Sequence, residues 1–229
     1  MSYIVSFVVG VIVFLFANVI IYCLPEKKKI KSEYFIGRSD EKKISPRCIA
    51  IAAAGGIFAA GLTAWYGIGL YALTVFLVLF VLTIITFIDI DVMEIPPVLN
   101  IALLVLGIIS IWTMGGVSIA SRIIGMFCIS LPLFLIVLVI PDGFGGGDIK
   151  MMFAAGFLLG WKATVAAFLI GLVLGGVYGI VLLIGRKKGK KDHFAFGPFL
   201  SIGIAISMFC GTEIVDAYIG ILQNAFMAY

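Results

Sequence analysis

Between Cys48 and Ile88 the chain runs for 41 residues without one Asp, Glu, Lys or Arg. A helix or strand that meets water shows polar residues at its own period, and this run shows none. A membrane-spanning helix needs about 20 mostly apolar residues, so the run is long enough for two, with a natural break at Tyr66-Gly67. The rest of the chain agrees: 63% of its residues are hydrophobic and 12% charged, against about 25% charged in a soluble domain. Mean hydropathy is +1.24. Disorder, which needs low hydrophobicity, is excluded. The small positive balance of 16 Lys and Arg against 12 Asp and Glu is not a nucleic-acid signature.

The remaining charges divide the chain. Ser2 to Leu24 form one apolar run, followed by a short basic segment, residues 26–47, with Lys27, Lys28, Lys29, Lys31, Arg38, Lys42, Lys43 and Arg47. After the 41-residue run comes a short acidic loop with Asp89, Asp91 and Glu94. Val98 to Ile140 hold only Arg122 and divide at Gly115-Gly116; Pro141 to Lys150 read as a Gly-rich loop. Met151 to Gly185 hold only Lys162 and divide near Gly160, the first part being short for a span. A second basic loop (Arg186 to Lys191) precedes a final apolar stretch, Phe194 to Tyr229. The expectation is a single all-α, polytopic membrane domain over residues 1–229 with about eight spans. Short loops rich in Lys and Arg stay in the cytoplasm. The loops at 25–47, 89–97, 141–150 and 186–193 carry 14 of the 16 basic residues. They therefore face the cytoplasm and both termini lie outside. The first span has no basic residue ahead of it, so it reads as an anchor and not as a cleaved signal.

Cys23, Cys48, Cys128 and Cys210 are scattered, form no C-x-x-C pair and read as packing residues. His193, the single histidine, has no second ligand near it in sequence, and no metal site is expected. Gly171, Gly175 and Gly179 recur every four residues, a spacing that lets helix backbones approach closely in lipid.

Acidic residues at membrane depth are expensive and point to function. Asp89 directly follows an uncharged span, and Asp148 in Gly145-Gly146-Gly147-Asp148-Ile149-Lys150 directly precedes one. The topology puts both at the cytoplasmic ends of different helices. Two carboxyl groups converging on one water cannot easily both ionise. One takes a proton from the water while the other polarises a carbonyl, the chemistry of an aspartyl peptidase. Gly145 and Gly147 let a substrate strand come close, and Lys150 either stabilises negative charge or snorkels to the interface. A proton- or ion-coupled transporter needs the same carboxylates and broken helices, and stands as the alternative.

Four segments resemble the type IV prepilin peptidase family, membrane aspartyl peptidases of the GxGD type. Asn18-Val19-Ile20-Ile21-Tyr22-Cys23-Leu24-Pro25 is similar to the family's N-V-V-I-Y-R-L-P, with Cys23 in place of Arg. Phe87-Ile88-Asp89 with Ile95-Pro96 resembles its I-D…(I/L)-P-D, with Pro97 in place of Asp. Gly145 to Lys150 match G-x-G-D-x-K, and Phe196-Gly197-Pro198-Phe199-Leu200 with Gly203 match F-G-P-F-L-x-x-G. The resemblance implies that Asp89 and Asp148 are catalytic. The implied reaction removes the basic leader from type IV prepilins or pseudopilins at the cytoplasmic face of a bacterial inner membrane. Asp91, Glu94 and Asp142 would form an acidic rim for that leader. No cofactor is implied for proteolysis; S-adenosylmethionine would be required if the chain also methylates the new N-terminus. The family's cytoplasmic C-x-x-C insertion is absent from residues 26–47, and Ile44-Ser45-Pro46-Arg47-Cys48 matches its I-S-x-R-Y-P only in part. Presenilin-like enzymes share the GxGD aspartate, but carry P-A-L where this chain has Phe196-Gly197-Pro198-Phe199.

Overall fold

The computed structural model describes residues 1–25, 45–140, 144–185 and 194–227. Most of the 26–47 segment, Asp142, the basic loop from Arg186 and His193 lie outside the described residues. Every regular element among the described residues is an α-helix. They are α1 (Ser2–Cys23), α2 (Pro46–Tyr66), α3 (Leu70–Val92), α4 (Pro97–Thr113), α5 (Ile119–Cys128), α6 (Ser130–Val139), α7 (Gly146–Leu159), α8 (Trp161–Ile184) and α9 (Gly197–Met227). This is an all-α, multi-pass membrane protein.

Glycine sets three of the breaks. Gly67, Gly116 and Gly160 all have positive φ, at 72°, 91° and 77°. Such backbone costs residues with a Cβ about 1–2 kcal/mol. The breaks expected at Tyr66-Gly67, Gly115-Gly116 and Gly160 are therefore where the chain turns. Proline sets a fourth: Pro132 has no N–H to give the Cys128 carbonyl, and α5 passes into α6 through Ile129. The two form one apolar run, Ile119–Val139.

Among the described residues six helical runs are long and apolar enough to cross a membrane, where eight were expected. The two shortfalls are α4, with 17 residues, and α7, with 14. At 1.5 Å per residue α7 is about 21 Å long, against a hydrocarbon core of about 30 Å. Two loop assignments are also corrected. Asp89 and Asp91 lie on α3, which runs on to Val92. Gly146 to Lys150 are helical, because Gly145 is an extended N-cap and α7 begins at once. In both places charge or glycine was read as loop, although nothing there stops a helix.

The chain forms two compact units, Met1–Val92 and Met93–Tyr229. In the first, Phe14 is wholly buried, its ring 6.0, 5.5 and 5.4 Å from those of Phe58, Phe76 and Phe80. Gly10 of α1 lies against the Gly55 backbone of α2, so the two helices meet without intervening side chains. Asn18 of the first motif is buried on α1.

The second unit has a polar centre that charge patterning did not foresee. Arg122 of α5 is fully buried. Its Nη1 donates to Ser110 Oγ (2.7 Å) and to the carbonyls of Phe157 (3.0 Å) and Leu158 (3.1 Å). Its Nη2 donates to the carbonyls of Ser110 and Met114, both at 3.3 Å, and Nε to that of Val117 at 3.4 Å. These carbonyls belong to the last turns of α4 and α7 and to the link into α5. The last four carbonyls of a helix lack internal partners and carry its partial negative charge. One guanidinium thus caps two helices that end within the unit. Close by, Gly125 of α5 and Gly156 of α7 lie back to back.

The small residues of α8 serve packing, as expected. Gly171 meets Phe199 and Leu200 of α9, Gly175 meets Phe196, and Gly179 faces Phe194. Leu200 is fully buried and Gly203 sits on the Ala167 carbonyl. The Phe196–Gly203 segment is thus the seam between α8 and α9. All four cysteines are free thiols.

Candidate active site

Asp148 is the third residue of α7 and is buried, 7% exposed. A carboxylate in a first turn meets the positive end of the helix dipole, a stabilising placement. The three glycines before it are not equivalent. A Cβ on Gly145 would lie 3.0 Å from Asp148 Oδ2, so the carboxyl occupies the space that a side chain there would need. A Cβ on Gly147 would lie 2.9 Å from Ile95 Cβ, because the start of α7 is pressed against the Ile95-Pro96 turn that opens α4. Gly146 faces open space. The pattern Gly-x-Gly-Asp therefore has a steric reason at each position.

The motif segments of the second unit gather at this end. Phe144 packs edge-on against Phe196, ring centroids 6.0 Å apart, which ties the start of α7 to the start of α9. Ile95 ties it to the start of α4, where Pro96 is the N-cap and Pro97 the first helical residue. Beside them is a cavity of about 490 Å³, lined by Pro97, Asn100, Ile101, Phe134, Lys150 and Phe153 among others. Its walls are almost wholly apolar. Lys150 is exposed at this cavity. Asn100 is 7% exposed, and neither carboxamide atom has a partner among the described residues.

Asp89 is buried, 5% exposed, in the last turn of α3, in the first unit. Two residues on, Asp91 accepts from Arg47 Nη1 at both carboxylate oxygens, each at 2.9 Å. Asp91 is thus engaged within its own unit, by a residue 44 positions away in sequence. Glu94 is exposed. Among the described residues no group of three or more His, Cys, Asp or Glu could hold a metal ion. Sequence reasoning passed over Arg47, Asn100 and Arg122. Arg47 and Arg122 stand in the sequence only as charges, and the one signal for Asn100 is a polar residue inside an apolar run.

Fold and site together define a multi-pass membrane protein that places buried aspartates at helix ends. Residues 76–180, which hold Asp89 and Asp148, match the Type IV leader peptidase family. It is 32% identical over 152 residues to the prepilin leader peptidase/N-methyltransferase of Aeromonas salmonicida (strain A449), covering 64% of this chain and 52% of that protein. The Legionella pneumophila protein of the same name is 30% identical over 160 residues, 68% of this chain and 56% of the relative. That of Bacillus subtilis (strain 168) is 30% identical over 169 residues, 70% and 64% respectively. The chain thus spans about half to two thirds of the length of these relatives. No solved structure matches it. The transporter alternative gains no support from these comparisons.

Proposed function

We propose that the chain is a membrane aspartyl endopeptidase that removes the basic leader from type IV prepilins or pseudopilins at the cytoplasmic face of the inner membrane. The observation that carries this reading is the pair of buried acids, Asp89 and Asp148, inside the segment that matches the leader peptidase family. The proposed mechanism requires one water within reach of both carboxyls. One carboxylate takes its proton as the oxygen attacks the scissile carbonyl. The other, protonated, donates to the carbonyl oxygen, giving a tetrahedral intermediate. Proton return to the amine then breaks the C–N bond, and no resident cofactor enters these steps.

The substrate's apolar segment stays in the bilayer beside the enzyme, and the apolar cavity along α4 and α7 supports its docking there. Glu94 and Lys150, both exposed, bear on the leader and on developing negative charge respectively. The relatives' names include N-methyltransferase. The cavity beside α7 offers the charged ends of S-adenosylmethionine few polar partners beyond Asn100, Ser130 and Lys150.

The test is co-expression with a candidate prepilin, followed by mass spectrometry of the product. Wild type should yield a new N-terminus after the leader. Asp89→Asn and Asp148→Asn should each yield none while the protein stays at normal abundance in the membrane. Cleavage at the wild-type rate by either variant would overturn the mechanism. The same spectra show whether the new N-terminus carries a methyl group.

A further inference from the structure

The start of α2 is tied to the end of α3 by one side chain. Arg47 Nη1 grips both oxygens of Asp91 at 2.9 Å, and Nη2 donates to the Phe87 carbonyl at 3.3 Å. The guanidinium also lies over the Phe87 ring, 4.5 Å from its centroid. Arg47 thus makes three kinds of contact with the final turns of α3: an ion pair in which Nη1 is shared between both carboxylate oxygens, a charge-assisted bond to a carbonyl near the helix's negative end, and cation–π.

The three residues concerned are 87, 89 and 91. Phe87 and Asp91 are one turn apart and share a face of α3. Asp89, two residues from each, points about 160° away from that face at 100° per residue. Arg47 therefore holds the back of the turn whose front carries Asp89. The two guanidinium nitrogens hold different points of the turn, Nη1 the Asp91 carboxylate and Nη2 the Phe87 carbonyl, so rotating the turn must bend both contacts together. The tie also acts where α3 most needs it. Met93, just past the helix end, takes a left-handed φ of 54°, so the helix stops here with no glycine to ease the stop.

We propose that Arg47 is a positioning residue for Asp89, fixing the rotation of the last turn of α3 through Asp91 and the Phe87 carbonyl. This rests on the peptidase reading above. It also gives Asp91 a different role from the acidic rim, since a carboxylate paired with Arg47 serves the enzyme's own helix.

The test is steady-state cleavage of a prepilin by the full-length, detergent-solubilised protein and four variants: Arg47→Ala, Arg47→Lys, Asp91→Ala and Arg47→Ala/Asp91→Ala. Loss of the clamp should lower kcat roughly ten- to hundredfold, the size of a misplaced reacting group, with KM nearly unchanged. Arg47→Lys should restore part of kcat, as a point charge makes fewer of these contacts. The double variant should be no worse than either single one, because both act through one contact. Asp91→Ala with normal kcat and a raised KM would overturn the clamp in favour of the acidic rim. Effects that multiply in the double variant would overturn it too. If Arg47→Ala is lost from the membrane, Arg47→Lys and Asp91→Ala decide by the same kcat criterion. Wild-type protein that cleaves no prepilin overturns the peptidase reading and the clamp with it. Wild-type cleavage with unaltered kcat in the variants overturns the clamp alone.

Discussion

A methyl group on Gly145 would press on a carboxyl oxygen of Asp148, whereas one on Gly147 would press on Ile95 and one on Gly146 on nothing. These differences give separable outcomes. Gly145→Ala should turn the carboxyl aside and lower cleavage about tenfold, with thermal stability nearly unchanged, since only the end of a side chain must move. Gly147→Ala should lower both activity and melting temperature, because the start of α4 must shift. Gly146→Ala should leave cleavage unchanged and raise stability by up to about 1 kcal/mol, as Ala is the better helix former. Activity assays beside thermal melts of the three variants check this. The burial of the two aspartates at helix ends was legible: Asp89 adjoins 41 uncharged residues and Asp148 directly precedes an apolar stretch, and a carboxylate in either place has no cheap explanation. The partner of Asp91 was not legible: Arg47 lies 44 residues away, in what reads as the tail of a basic run.

Helices α4 and α7 end on a shared cation, and that arrangement sets how they fail. Arg122 serves carbonyls of both helix ends and the Ser110 hydroxyl. Arg122→Ala strands those carbonyls in an apolar setting, and Arg122→Lys offers three donors from one point where a planar fork is needed. Either should cost about 3 kcal/mol or more. That corresponds to a fall of roughly 6–12 °C in the melting temperature of the solubilised protein. Lysine matching wild type would show that charge alone suffices. At this scale the helix breaks were readable wherever a positive φ demanded glycine, at Gly67, Gly116 and Gly160. The ends of α3 and the start of α7 were not, because acidic and Gly-rich residues were read as loop although helix hydrogen bonding continues through them. Arg122 was visible only as a cation on the wrong side, since its role needs two helix ends that no local pattern brings together.

Across the whole molecule, helix lengths differ widely. The 31 residues of α9 extend about 46 Å, while the 14 of α7 extend about 21 Å. A bilayer adapts to a short element by thinning beside it, at a modest cost per Å that grows with lipid chain length. Cleavage by protein reconstituted in lipids of increasing acyl length should therefore fall as the membrane thickens, with little change in binding of a soluble leader peptide. Beyond its first glycines α7 reaches the surface only through Lys150 and the half-buried Ile149, Phe153 and Phe157, and rates indifferent to thickness would mean that this strip is too narrow for the bilayer to follow. Where the bilayer does yield, the headgroup boundary dips toward the first turn of α7. A peptide bond lying just outside an ordinary leaflet then meets Asp148 in that dimple, and neither enzyme nor substrate has to leave its own depth in the lipid.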